Sequence, residues 1–202
     1  MRVGLTGSIA VGKSFVTRVL AGLGCHVRDA DQTAREVVAS GTEGLRAVGG
    51  HFGPEVLQAD GTLDRARLGA LVFADAKKRA ALNSILHPLI HRAHEVWLKS
   101  IEESDPAGIA VVDAALLIES GSYQMFDKII VVHCQPDVQL DRLMLRNALT
   151  REEAERRVAS QMPQDEKMRL ADFLIDTSDG FEETRRQTAA VSEQLKTLAG
   201  AA

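Results

Sequence analysis

The sequence has few aromatic residues, 4% of 202, with Trp97 and Tyr123 the single tryptophan and tyrosine. A core must rest on Leu, Val, Ile and Ala, and a stacking platform for single-stranded nucleic acid has little to build on. Cysteine is almost absent as well. Cys25 and Cys134 have neither the number for a disulfide framework nor the spacing of a zinc knuckle or redox pair, so they read as buried thiols. Positive charge is not in excess: 24 Lys+Arg against 28 Asp+Glu give a formal net charge of −4, which excludes a broadly cationic nucleic-acid binder but leaves room for a local basic groove. No uncharged apolar run approaches about 18 residues, so no membrane span is expected. The opening Met1-Arg2-Val3-Gly4-Leu5-Thr6-Gly7 is broken by glycine and hydroxyl side chains, and no signal peptide is expected there. The composition thus predicts a reduced, soluble, cytoplasmic protein without a nucleic-acid or membrane partner.

Hydrophobic residues make up 45% of the chain and charged residues 26%, enough apolar material for one folded domain with a smaller lobe. No repeat is visible, and Ala199-Gly200-Ala201-Ala202 reads as a fraying tail. Short β-rich segments alternate with helical patterns. Arg2–Thr6 is followed by a helical Lys13–Leu23, then Cys25–Arg28, a long helical middle, Ile109–Asp113, Lys128–His133, and Phe173–Asp176 before a closing helix. That alternation predicts an α/β protein with a parallel sheet. Ile109-Ala110-Val111-Val112 and Ile129-Ile130-Val131-Val132 are apolar at every position, as central strands covered on both faces are. From Gly61 to Glu103, Leu63, Leu68, Leu71, Val72, Leu82, Ile85, Leu86, Leu89, Ile90 and Trp97 recur at helical spacing, which predicts an inserted helical lobe.

Residues Gly7-Ser8-Ile9-Ala10-Val11-Gly12-Lys13-Ser14 fit G-x-x-x-x-G-K-[ST], directly after a predicted strand and before a helical pattern. Glycines at these places let successive backbone N–H groups point at phosphate oxygens, and the following helix adds the positive end of its dipole. Lys13 supplies a charge for the β and γ phosphates, and the Ser14 hydroxyl is placed to ligate Mg²⁺. Gly7, Ala10, Val11, Gly12, Lys13, Ser14 and Phe15 are therefore the expected ATP-binding residues. No N-K-x-D tetrapeptide supports guanine, so ATP is the expected nucleotide.

A phosphate loop alone does not choose among kinases, GTPases, motor ATPases and non-catalytic ATP-binding switches. Asp31, after the second strand, fits a group that takes or orients the proton of an attacking hydroxyl, and equally the N-cap of a helix beginning at Gln32. Asp113, at the end of Ile109–Asp113, fits either a carboxylate holding a magnesium-bound water or a strand-end turn. The arginine-rich stretch Arg142–Arg169 fits a solvated helical face on its composition alone. His87, His91 and His94 stand at i, i+4 and i+7, but without an H-E-x-x-H pattern they read as a polar wall rather than a metal site. Pro88 fits the first turn of a helix.

Gly4-Leu5-Thr6-Gly7 running into the loop, Asp29-Ala30-Asp31 with Arg35, and Leu86-His87-Pro88 together resemble the dephospho-CoA kinase family. Leu116-Leu117-Ile118-Glu119, Arg142 with Arg146-Asn147, Arg157-Val158-Ala159-Ser160-Gln161, Glu166-Lys167 and Ala171-Asp172 before Ile175-Asp176 follow that family's pattern in order. The likeness covers nearly the whole chain. It departs at Ala115, where proline is usual, and at Ser8, where a second glycine is common. The resemblance implies one three-layer α/β/α P-loop kinase domain over 1–202, with a parallel five-stranded sheet, a helical substrate lobe at 61–104 and a lid at 139–162. It implies ATP-dependent, Mg²⁺-assisted phosphorylation of the ribose 3′-hydroxyl of dephospho-CoA by a monomer or small homo-oligomer. Asp31, Lys13 and Arg146 would be catalytic, Arg142 would contact ATP, and Asp31, Arg35, His87, Arg92 and Leu116 would contact the acceptor. Arg146 would ride on the mobile lid.

Overall fold

The computed structural model describes residues 1–200; Ala201 and Ala202, the end of the expected tail, lie outside the described residues. Five strands, β1 (Arg2–Thr6), β2 (His26–Asp29), β3 (Ala110–Asp113), β4 (Lys128–His133) and β5 (Phe173–Asp176), form one parallel sheet in the order β2-β3-β1-β4-β5. The register sets Leu5 beside Asp113 on one side and beside Ile130 on the other. Helices α1 (Lys13–Gly22) and α9 (Gly180–Gly200) flank this sheet, with α6 (Pro136–Asn147), α7 (Arg151–Ala159) and α8 (Gln164–Met168) between β4 and β5. Ala199 and Gly200 thus close α9 rather than fraying.

The uniform apolarity of β3 and β4 has a direct cause. Val3, Leu5, Ile130, Val132, Val111 and Ile175 pack with Val16 and Leu20 of α1 and Val191 and Leu195 of α9. Ile129 and Val131, on the opposite face, pack with Leu117, Ile118, Phe126 and Met168. Each such side chain contributes about 1.5–3 kcal/mol by leaving water, so an alternating pattern would waste one face. β2 begins one residue later than the sequence suggests, because the Cys25 N–H closes the end of α1 on the Leu20 carbonyl, 3.1 Å away.

The chain divides into two compact units, Met1–Arg28 with Ser100–Ala202, and Asp29–Lys99. The second is helical: α2 (Ala30–Glu36), α3 (Glu43–Phe52), α4 (Arg65–Ala74) and most of α5 (Ala76–Ser104), with a single antiparallel bridge between Leu57 and Leu63. Its core is Val38, Leu45, Val48, Val56, Leu63 and Leu68, against which Leu82, Ile85 and Leu86 of α5 pack. Pro88 does not start a helix; it lies inside the 29-residue α5. A mid-helix proline forfeits one backbone bond and crowds the carbonyl four residues back, and here the packed turn Leu82–Leu86 carries the helix through it.

Candidate active site

The strand β1 delivers the chain into the glycine-rich loop, and α1 leaves it. Gly12 is the N-cap of α1 at φ 86°, a backbone conformation that costs a side-chain-bearing residue about 1–2 kcal/mol. Gly7 is required for a different reason: a Cβ there would stand 2.5 Å from the Val132 carbonyl oxygen of β4 and 2.9 Å from Val11. Gly7→Ala must therefore push the loop off the sheet. We expect it to lower stability by about 1–3 kcal/mol, as overpacking of a tight site does, and to raise the ADP dissociation constant. A melting curve with a nucleotide titration checks both, and wild-type behaviour would contradict the close approach.

Lys13, at the start of α1, forms an ion pair with Asp113 at the end of β3, whose residue is 7% exposed. The second Asp113 oxygen accepts a 2.7 Å bond from the Thr17 hydroxyl, whose oxygen also lies 3.0 Å from the Lys13 carbonyl oxygen. Asp113 is thus a buried partner of the loop lysine, not an exposed turn. Thr17 carries no motif, and its i+4 spacing from Lys13 is the one local hint of it. Ser14 is exposed at the first turn of α1. The Ser8 hydroxyl is buried and has no hydrogen-bond partner among the described residues, so the loop contains a polar atom that its own fold leaves unsatisfied.

Arg142 of α6 reaches the far side of the loop. Its guanidinium donates to the Thr177 hydroxyl at 2.8 Å and to the Thr177 carbonyl at 2.7 Å, while that hydroxyl donates to the Val11 carbonyl at 2.7 Å. Thr177 follows β5 and had no signal in the sequence. Beside it, burial and the Ser178 hydroxyl act oppositely on Asp176. The Ser178 hydroxyl and N–H, with His133 and Arg142, outweigh burial and hold the carboxyl below its usual range. Burial pushes the Cys134 thiol up, with Arg142 opposing it in part. Phe15 packs against Phe181 with the rings tilted by 44° and their centroids 4.8 Å apart, and the Arg185 guanidinium lies 5.5 Å from the centre of the Phe15 ring. Arg146 is exposed at the end of α6 and donates to the neighbouring Asn147 at 2.8 Å. Leu116, in the turn after β3, is 54% exposed although apolar.

In the helical unit, Asp29 is the N-cap of α2: its carboxylate accepts from the N–H groups of Asp31 at 2.7 Å and Gln32 at 3.4 Å. The capping role open to Asp31 therefore belongs to Asp29, and α2 begins at Ala30. Asp31 sits exposed in the first helical turn, and Arg35 one turn further on. His87 and Arg92 are exposed on α5, where Arg92 makes a 3.5 Å pair with Glu43. Burial, then the nearby His87, lowers the pKa of His91.

Among the described residues there is no group of three or more His, Cys, Asp and Glu that could hold a metal. The oxygens at the loop, the Ser14 hydroxyl and the Asp113 carboxylate, are hard donors. They suit a divalent cation whose other ligands come from phosphates and water.

Comparison with known proteins agrees with this loop and sheet. The family described as dephospho-CoA kinase (CoaE) matches residues 1–183. A dephospho-CoA kinase of Listeria monocytogenes is 48% identical over 187 residues, covering 92% of each chain. A crystal structure from Thermus thermophilus superposes with a TM-score of 0.79 at 30% identity, covering 96% of this chain and 97% of that one. The dephospho-CoA kinase of Campylobacter jejuni superposes with a TM-score of 0.67 at 25% identity, covering 96% of both. A parallel sheet whose first strand opens into an intact phosphate loop, matched across its length in this way, belongs to the dephospho-CoA kinase family of ATP-using transferases.

Proposed function

We propose that this kinase transfers the γ-phosphoryl group of ATP to the ribose 3′-hydroxyl of dephospho-CoA, giving coenzyme A and ADP. The observation that carries this reading is an intact phosphate loop, with Lys13 and Asp113 already paired, in a chain that the family matches over residues 1–183. Asp31 receives or orients the 3′-hydroxyl proton as the new oxygen–phosphorus bond forms and the bond to the β-phosphate oxygen breaks. The carboxylate suits that work because Asp29 takes the cap. Gly7, Ala10, Val11, Gly12 and Ser14 bind the ATP phosphates, Phe15 and Arg142 complete the nucleotide side, and Lys13 and Arg146 neutralise the transferring group. In a loose transition state most of the catalysis is such neutralisation and positioning.

Arg35, His87, Arg92 and Leu116 bind the acceptor, His87 and Arg92 from a helical lobe, 61–104, and Arg146 belongs to a lid, 139–162, that excludes water on closing. Mg²⁺ is the proposed metal, held by Ser14 directly and by Asp113 through water; when bound it supplies neutralising charge to the phosphates. The enzyme acts in the cytoplasm as a monomer or small homo-oligomer. A kinase of the shikimate or gluconate type is less well supported, since the family match includes the helical stretch with Leu86-His87-Pro88. Coupled ADP release decides between them. Turnover with dephospho-CoA and none with shikimate, gluconate or nucleoside monophosphates is the expected result, and the reverse pattern would overturn the assignment.

A further inference from the structure

Ala10 is one of two residues other than glycine with positive φ among those described, at 62°. It stands in the middle of the phosphate loop, and such a conformation persists only where neighbouring structure imposes it. The peptide that sets its orientation joins Ile9 to Ala10. Two glutamines hold that neighbourhood. The Ile9 N–H donates to the Gln161 side-chain oxygen at 2.7 Å, and the Ile9 carbonyl accepts from the Gln139 side-chain nitrogen at 2.7 Å. The Ile9 and Ala10 side chains also pack on Leu140, Leu143 and Ala154 of α6 and α7.

The polarity of this clamp is fixed from a distance. The Cys134 N–H, just past β4, donates to the Gln164 oxygen at 3.1 Å, which makes the Gln164 amide nitrogen the donor to the Cys134 carbonyl at 3.2 Å. That same nitrogen donates to the Gln139 oxygen at 3.0 Å. Gln139, 2% exposed, is left with its amide nitrogen facing the Ile9 carbonyl. A side-chain amide offers a donor on one end and an acceptor on the other, so the backbone of one residue just past the sheet, Cys134, dictates how the loop is held.

We propose that Gln139 and Gln161 are positioning residues for phosphoryl transfer: they clamp Ile9 from both sides and keep the Ile9–Ala10 peptide in the orientation that binds phosphate. They also stand at the two ends of the arginine-bearing segment between β4 and α8. The segment that carries Arg142 and Arg146 is therefore hydrogen-bonded to both polar groups of Ile9. The inference rests on the proposed use of this loop to bind ATP. Neither glutamine touches the reacting atoms.

Because the two bonds run in opposite directions, replacement by Glu should split the positions. At Gln161 a carboxylate still accepts from the Ile9 N–H; at Gln139 it cannot donate to a carbonyl. We expect Gln161→Glu to keep KM for ATP close to wild type and Gln161→Met to raise it roughly fivefold, the worth of one neutral hydrogen bond. Gln139→Glu should exceed Gln139→Met in its effect. KM for dephospho-CoA should be unchanged in all four. Hydrogen exchange at the Ile9 amide should quicken in Gln161→Met and not in Gln161→Glu, a readout that needs no turnover. Equal losses in the two Glu variants would show that charge alone matters and overturn the clamp, as would a wild-type KM for ATP in Gln161→Met with faster Ile9 exchange. Wild-type turnover with dephospho-CoA is measured first, so failure of the reaction assignment is seen separately from failure of the clamp.

Discussion

Asp31→Asn is expected to lower kcat by roughly 10²- to 10⁴-fold, the usual contribution of a positioned general base, while KM for ATP stays within about twofold of wild type. The isolation of the effect follows from the first turn of α2. Asp29, not Asp31, accepts the N–H groups that begin the helix, so replacing the Asp31 carboxylate removes no cap. Asn is close to Asp in shape, but its amide is a far weaker base than a carboxylate. Steady-state kinetics with both substrates, alongside a melting curve, checks the split. Near-normal turnover would remove Asp31 from the chemistry, and a parallel fall in melting temperature would make the effect structural.

Glu119→Ala should produce the largest loss of stability. Lys167 is fully buried, and its ammonium donates to the Glu119 carboxylate at 2.7 Å and to the Ala115 carbonyl at 3.0 Å. The Thr6 hydroxyl donates to that same carbonyl at 3.2 Å, so the turn after β3 that carries Leu116 is tied to β1 and α8 together. Removing the carboxylate strands a positive charge in the interior, which costs about 3–5 kcal/mol where the pair is fully buried. Glu119 is 22% exposed, which lets water offset part of this, so about 3 kcal/mol is the expected loss. In a protein of this size that is a fall of roughly 6–12 °C in melting temperature. Adding Lys167→Met should recover most of it, because the unpaired charge goes and an apolar side chain of similar length remains. A loss under about 1 kcal/mol in Glu119→Ala, the scale of an exposed pair, or no recovery in the double variant, would contradict the buried-charge account.

The sheet was legible because burial on both faces leaves a local trace. The apolar runs around Val111 and Val131 are what two covering layers demand, and both strands lie inside the sheet. The phosphate loop was legible because close packing against β4 admits only glycine at position 7. Pro88 misled, since the rule against mid-helix proline is local while the packing that overrides it comes from Val38, Leu45 and their neighbours. The cap falls at Asp29, two residues before the Asp31 alternative, for Asp29 and Asp31 are equivalent in type and only the backbone path separates them. Thr177, Gln139, Gln161, Gln164 and Lys167 act on residues 25 to 166 positions away. A side-chain bond across that distance has no periodicity and no motif. Gln161 and Lys167 stood in segments resembling the family, yet nothing local said what they hold.

The central claim concerns where a phosphoryl group ends up. Purified protein incubated with ATP, a divalent cation and dephospho-CoA should yield ADP and one new phosphomonoester, and phosphorus NMR with two-dimensional proton correlation should attach it to the ribose 3′ carbon. A new phosphate at any other hydroxyl, or ATP consumption that leaves dephospho-CoA unmodified, would contradict the account.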